Sequence, residues 1–236
     1  MTPEAKYINY FFEGLEFDEP THRYSLNGVS IPVSVSGIIN KFKKPFPFEE
    51  KSKKVALQEG VTQQEIKDRW TNKKNKACEL GTRVHFFGEK YTFDRNIAAQ
   101  CGYEEAIVKF WDCLPSHIVP VMVEVRMYHK KYKFAGTCDT LLYNTHTGKY
   151  ILTDYKTNED LFKNFAGERL LHCFSDLLKN DFNCYQIQLS LYQMLFEQTG
   201  LQIEDRRIIH LKPNGEFTLY QTEDYTDRLL YYLENQ

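Results

Sequence analysis

The chain has 236 residues, 42% hydrophobic and 15% aromatic, with a formal net charge of −2. That length and apolar content suit one globular domain with a sizeable core and exclude a disordered or low-complexity chain. No apolar run is long enough to cross a membrane, and the overall charge does not by itself mark a nucleic-acid binder. The charge is unevenly spread, however. Residues 41–76 hold eleven Lys/Arg against five Asp/Glu, a local balance of +6 that leaves −8 for the remainder. Such a stretch is either a solvated helical face or a contact for an anionic polymer. The cysteines (Cys78, Cys101, Cys113, Cys138, Cys173 and Cys184) form no C-x-x-C pair, and no signal-peptide pattern opens the chain. A reduced, cytoplasmic setting is therefore expected.

In chain order, HRYSLNGVSIP (His22 to Pro32) predicts a small hairpin about the Asn27-Gly28 turn. Ser34 or Ser36 caps a short helix to Phe42, which Lys43-Lys44-Pro45-Phe46-Pro47 breaks. Phe48 to Glu59 predicts a helix stopped by Gly60. Thr62 opens another, with Glu65 completing a capping box and Trp70 on the apolar face. A further helix is expected from about Asn75 to Phe93, where His85 and Glu89, four apart, share a face. Gly81 and Gly88 weaken that helix and suggest close packing against a neighbour. Residues 1–74 are read as a hairpin and basic helical accessory layer on a core of 75–236, without a flexible linker between them.

Glu104 to Leu114 predicts a helix, Pro115 to Pro120 a break, and Val119 to Met127 the first long strand, with Glu124 and Arg126 on one face. Tyr128 to Lys133 is a basic turn, either a solvated hairpin tip or a phosphate contact. Phe134 to Tyr143 and Tyr150 to Thr157 are strands joined by the Asn144–Gly148 turn. Strand alternation puts Asp154 and Lys156 on one face and Tyr155 on the other, with Asp139 on the adjoining strand beside them. Two carboxylates and an amine so placed can bind a divalent cation and steer a nucleophile. Residues 159–182 predict one or two helices covering this site. A strong helix follows from about Asn183 to Glu197, with Tyr185, Gln188 and Tyr192 on one stripe. Strands at Asp205 to Leu211 and Glu216 to Gln221 and a helix from Thr222 to Leu233 close the chain. The order implies an α/β fold whose mixed sheet uses the 183–197 helix as a crossover between parallel strands.

Gly136-Thr137-Cys138-Asp139 followed by Asp154-Tyr155-Lys156 resembles the core of the PD-(D/E)XK nucleases. Gly81 to Glu89 resembles the G-T-x-x-H-x-x-x-E helix of their RecB-like, phage-type exonuclease branch, and Gln188 to Tyr192 its Q-x-x-x-Y helix. The three motifs follow the family's order over residues 81–192; the first eighty residues match only loosely. The resemblance implies a restriction-endonuclease-like core and a metal-dependent DNA nuclease, expected to be an exonuclease of DNA repair, recombination or phage DNA processing, in the host cytoplasm if phage-encoded. It implies Mg²⁺ or Mn²⁺ held by His85, Asp139, Asp154 and the Tyr155 carbonyl. Lys156 would orient the attacking water, with Gln188 and Tyr192 on the substrate backbone. Glu124 is read either as holding a ligating water or second cation, or as a partner of Arg126. Some RecB-like nucleases hold an iron–sulfur cluster through one upstream cysteine and a C-terminal cysteine group; no cysteine follows Cys184 here, so no cluster is expected. The expected partners are DNA, as single strands or ends, and a helicase or recombination protein, since no G-x-x-x-x-G-K-[ST] loop is present. Two alternatives stay open: an inactive nuclease-fold module that binds nucleic acid, and a metallohydrolase of another substrate.

Overall fold

A computed structural model describes residues 2–235. The chain opens with α1 (Pro3–Phe11), capped by Thr2, which has no counterpart among the sequence expectations. A small antiparallel sheet follows, of β1 (Leu15–Asp18), β2 (Arg23–Leu26) and β3 (Val29–Ser30). Asn27 and Gly28 both take positive φ in its second turn, as a type I′ turn requires. β4 (Val33–Ser34) then leads into α2 (Val35–Lys41), whose first turn is capped by the Ser34 hydroxyl accepting from the Gly37 N–H.

α3 (Phe48–Glu59) ends at Gly60 in the left-handed conformation, and α4 (Gln63–Phe93) starts from the expected Thr62/Glu65 capping box. It then continues for 31 residues without a break. The separate start near Asn75 and the 74/75 boundary therefore fall inside one helix. No Gly or Pro interrupts residues 63–80, and Lys, Gln, Glu and Arg favour helix throughout. At ~1.5 Å per residue the helix is ~46 Å long.

α5 (Gly102–Asp112) precedes the antiparallel run of β5 (Ile118–Tyr128), β6 (Phe134–Asn144) and β7 (Lys149–Lys156). α6 (Asp181–Glu197) crosses over to β8 (Ile203–Leu211), which lies parallel to β7, and β9 (Phe217–Gln221) returns antiparallel. β4 adds in parallel beside the start of β6, so residues from the N-terminal layer are part of the main six-stranded sheet. α7 (Thr226–Glu234) ends the chain, starting four residues after the expected Thr222.

Residues 157–180 hold no α-helix, only a 3₁₀ turn at His172–Phe174. Apolar residues at 170, 174, 177 and 178 carry a helical spacing, but Ala166, Gly167 and His172 take positive φ, which an α-helix does not accommodate. The loop is nonetheless tied down. The Leu171 N–H donates to the Phe42 carbonyl at 2.8 Å, and Leu161, Leu170 and Phe174 are buried.

Side chains alternate between two cores, one on each sheet face. Leu141, Leu152 and Ile208 face α1, α2, α6 and α7; Leu142, Ile151 and Ile209 face α4 and α5. Full burial of each such side chain contributes ~1.5–3 kcal/mol. The result is a three-layer α/β architecture with a mixed sheet between helical layers. No helix among the described residues is long and apolar enough to cross a membrane.

Candidate metal centre

Four elements bring polar groups to one end of the sheet, and each does so for a local reason. α4 can lie close to β7 because Gly88 has no side chain. A Cβ there would stand 2.8 Å from the Tyr155 ring and 3.3 Å from Ile107. This close approach sets His85, one turn earlier, against the backbone of β7. Gly81 differs: a Cβ there would meet nothing within 4 Å, so the close packing expected at both glycines exists only at Gly88. Gly136 plays the corresponding part on the other face, where an added Cβ would strike Val35 and Tyr192.

β5 supplies Glu124 through a distorted stretch. Its register on β6 slips by one between Pro120 and Met122, and Glu124 itself has φ +48°. A left-handed glutamate inside a strand costs ~1–3 kcal/mol and persists only where its surroundings hold it. Bulged strands beside a site re-aim a side chain in this way. Glu124 lies between Val123 and Val125, which pair with Thr140 and Cys138, and so stands across from Asp139.

The outcome is a cluster in which one potential ligand atom each from His85, Glu124 and Asp139 lies within 4.8 Å of the other two. His85 Nδ1 is 3.3 Å from Asp139 Oδ2, and its Nε2 is 3.0 Å from the Tyr155 carbonyl oxygen. Asp139 Oδ2 also accepts the Tyr155 N–H at 2.8 Å. Both ring nitrogens thus face acceptors, a pattern that the imidazolium satisfies. Burial alone would lower the His85 pKa, but the Asp139 carboxylate outweighs it and raises it to about 9. The same imidazolium keeps Asp139 below its ordinary value against the desolvation that would raise it.

Asp154 and Lys156 share a face, as strand alternation requires, and form a buried ion pair. Asp154 is therefore turned to Lys156 and is not one of the three clustered residues. Burial and then the neighbouring Asp139 push the Asp154 carboxyl up to about 6. Burial works against the charge on Lys156, but Asp154 and Asp139 hold it on and raise its pKa. Desolvation, followed by Asp139, pushes Glu124 up to about 7 although its side chain still reaches solvent; the charge of Glu89 adds to the effect.

These shifts have one cause in common. Three carboxylates share a poorly solvated cleft with one imidazole and one amine, and they cannot all ionise cheaply without more positive charge. A bound divalent cation would reverse the upward shifts. The donor set fits such an ion: hard carboxylate oxygens, a backbone carbonyl and one imidazole. His85 would have to give up a proton to take part.

The α6 stripe faces the same end. The Lys156 ammonium sits 4.4 Å over the Tyr185 ring, and the Tyr185 hydroxyl donates to Asn158 Oδ1 at 2.9 Å. Gln188 Nε2 donates to the Tyr192 hydroxyl at 2.8 Å. Tyr192 is buried behind Gly136, so it acts as a support for Gln188 and not as an exposed contact. Asn158 had no place among the sequence candidates. It fixes Tyr185, donates to Asp181 at 2.7 Å, and offers its carbonyl to His210 Nε2 at 2.6 Å. The signal for it, a polar residue two positions after D-x-K, is too common to single out. Tyr24 was also missed: it shares a 2.8 Å hydrogen bond with Thr137 and ties the small sheet to β6 beside the centre. No family model matches this chain, and a search of curated proteins finds no significant match.

Proposed function

We propose that the chain is a divalent-metal-dependent DNA nuclease, an exonuclease of the RecB-like PD-(D/E)XK kind. The observation that carries this reading is the convergence of His85, Glu124 and Asp139 beside the Asp154–Lys156 pair at one sheet end. They come from four separate elements, and two of them are placed by a glycine contact and a strained strand residue.

Mg²⁺ or Mn²⁺ bound there would neutralise a phosphodiester and make water nucleophilic. His85, Asp139, Glu124 and the Tyr155 carbonyl are the residues that would hold it, with Asp154 beside them, paired to Lys156. Asp139 orients His85 through its ring nitrogen and the Tyr155 N–H through the backbone. Lys156, kept protonated by two carboxylates, presents positive charge where a scissile phosphate and attacking water would meet. Tyr185 holds that ammonium from above, and Gln188, braced by Tyr192, reaches toward the substrate backbone. A helicase or recombination protein is the kind of partner that would supply duplex unwinding.

The test is cleavage of end-labelled DNA with Mn²⁺, Mg²⁺ or EDTA. Activity is expected with either metal, with Mn²⁺ at least as effective, and none in EDTA. Lys156→Ala should lose roughly 10²–10⁴-fold in rate while metal binding persists, because the amine stabilises charge and is not a ligand. Asp139→Ala should lose both. Undiminished cleavage by demetallated protein, or near-normal turnover by Lys156→Ala, would overturn the reading.

A further inference from the structure

We propose that His210 is a positioning residue for Lys156, acting through Asn158 and Tyr185. The catalytic part given to Lys156 rests on the nuclease reading above; the linkage rests on its own contacts.

His210 is buried and takes no part in the metal cluster. On β8 it is the register partner of Lys156 on β7, so the two side chains leave the sheet on one face. Its Nε2 lies 2.6 Å from the Asn158 carbonyl oxygen, which can only accept, so Nε2 carries the proton. In the neutral ring Nδ1 is then a bare acceptor, and it is buried with no hydrogen-bond partner among the described residues. Burial lowers the His210 pKa, and the Lys212 ammonium, 3.2 Å from Nε2, adds to this against the Asn158 bond. The ring therefore stays neutral. An orphaned buried nitrogen costs free energy that a leucine at this place would not. What histidine provides and leucine does not is the bond to Asn158.

Two further bonds hold Asn158. Its Nδ2 donates to Asp181 at 2.7 Å, and its Oδ1 accepts from the Tyr185 hydroxyl at 2.9 Å. Asp181 and Tyr185 stand one turn apart at the start of α6, so Asn158 ties the end of β7 to that turn. The Tyr185 ring in turn lies 4.4 Å from the Lys156 ammonium. Asp154 holds this amine by charge, and the ring limits where it can point. His210 thus sets the Asn158 backbone, the Asn158 side chain sets Tyr185, and Tyr185 closes the space over Lys156. A misplacement of ~1 Å at a reacting group costs about 10²-fold in rate, so such support matters to catalysis.

The test uses two variants that differ in one hydrogen bond. In His210→Gln the amide nitrogen reaches the place of Nε2 and can donate to the same carbonyl. In His210→Asn the side chain is one methylene shorter and cannot. In metal-free protein the NMR signals of the Tyr185 ring should move in His210→Asn and stay in His210→Gln. With end-labelled DNA and saturating Mn²⁺, the single-turnover rate per folded molecule should fall about 10–100-fold in His210→Asn. His210→Gln should return to within about threefold of the parent, and the Mn²⁺ midpoint should move in neither. Tyr185→Phe keeps the ring and loses the hydroxyl; it should slow cleavage too, and adding His210→Asn to it should cost little more. Equal rates in the two His210 variants, or additive losses in the double variant, would overturn the proposal. So would a His210→Asn protein that melts earlier while each folded molecule cleaves at the parental rate. If His210→Asn does not fold, a parental rate in Tyr185→Phe overturns it. The two readings fail separately. A parent that cleaves no DNA removes the nuclease, and the ring signals then decide the linkage. A cleaving parent with an indifferent His210→Asn keeps the nuclease and removes the positioning role.

Discussion

The two halves of α4 are built on different physics. From Gln63 to Leu80 the helix is surface nearly throughout; Ile66 is its only buried residue, and residues 71–79 are all exposed. That half is held by its capping box, by strong helix formers and by packing on α3. Salt bridges from Lys67 to Glu49 and from Arg69 to Glu59 add little at such exposure. From Gly81 to Phe93 the same helix buries Val84, Phe87, Gly88 and Tyr91 against the sheet and delivers His85. One half is a helix because of local preference, the other because of what it touches. Tertiary changes should therefore disturb the second half and the metal centre, and local changes the first half alone.

The largest expected effect tests the packed half. His85→Ala should raise the Mn²⁺ concentration needed for half-maximal cleavage by about 10–100-fold or more, with a small change in melting temperature. A destabilised protein with an unchanged Mn²⁺ midpoint would make His85 a packing residue and take it out of the centre. Gly88→Ala comes next, because its Cβ must push back the Tyr155 ring or Ile107. The expected cost is ~1–3 kcal/mol of stability, read by urea unfolding, together with weakened Mn²⁺ dependence as α4 shifts from β7. Unchanged stability would mean that the helix adjusts freely, and the contrast between the halves would fall.

Thr62→Ala addresses the projecting half. Loss of the cap should cost ~1 kcal/mol, seen as faster amide exchange over the first turns of α4, with the Mn²⁺ midpoint unmoved. The smallest effect is a gain. Gly81→Ala meets nothing and removes a weak helix former, so it should raise stability by up to ~1 kcal/mol. A loss of stability at Gly81 comparable to that at Gly88 would erase the distinction between them.

Much of this site was legible because its logic is local or periodic. Strand alternation alone set Asp154 beside Lys156 and turned Tyr155 to the opposite core, where its hydroxyl accepts from Trp111 Nε1 at 3.1 Å. The Asn27-Gly28 turn, the Thr62/Glu65 box and the Ser34 cap follow from short-range backbone chemistry, which a sequence carries in full. The helix spacing of 183–197 and its place between two apolar strands led directly to the parallel crossover.

What the sequence determined, then, is whatever depends on neighbours in the chain: periodicity, caps, turns, and which residues can share a face. Tertiary structure decided which of those faces meet. The helical spacing in 157–180 yields to positive φ at Ala166, Gly167 and His172, on a path that buries Leu161, Leu170 and Phe174. Glu124 joins His85 and Asp139 because a register slip and a left-handed backbone aim it there, and no local preference predicts a conformation that costs energy at its own position. Asp154 turns to Lys156 for a related reason. Alternation makes the pair possible, and burial of both groups beneath the packed sheet and helices makes the carboxylate take that neighbouring charge.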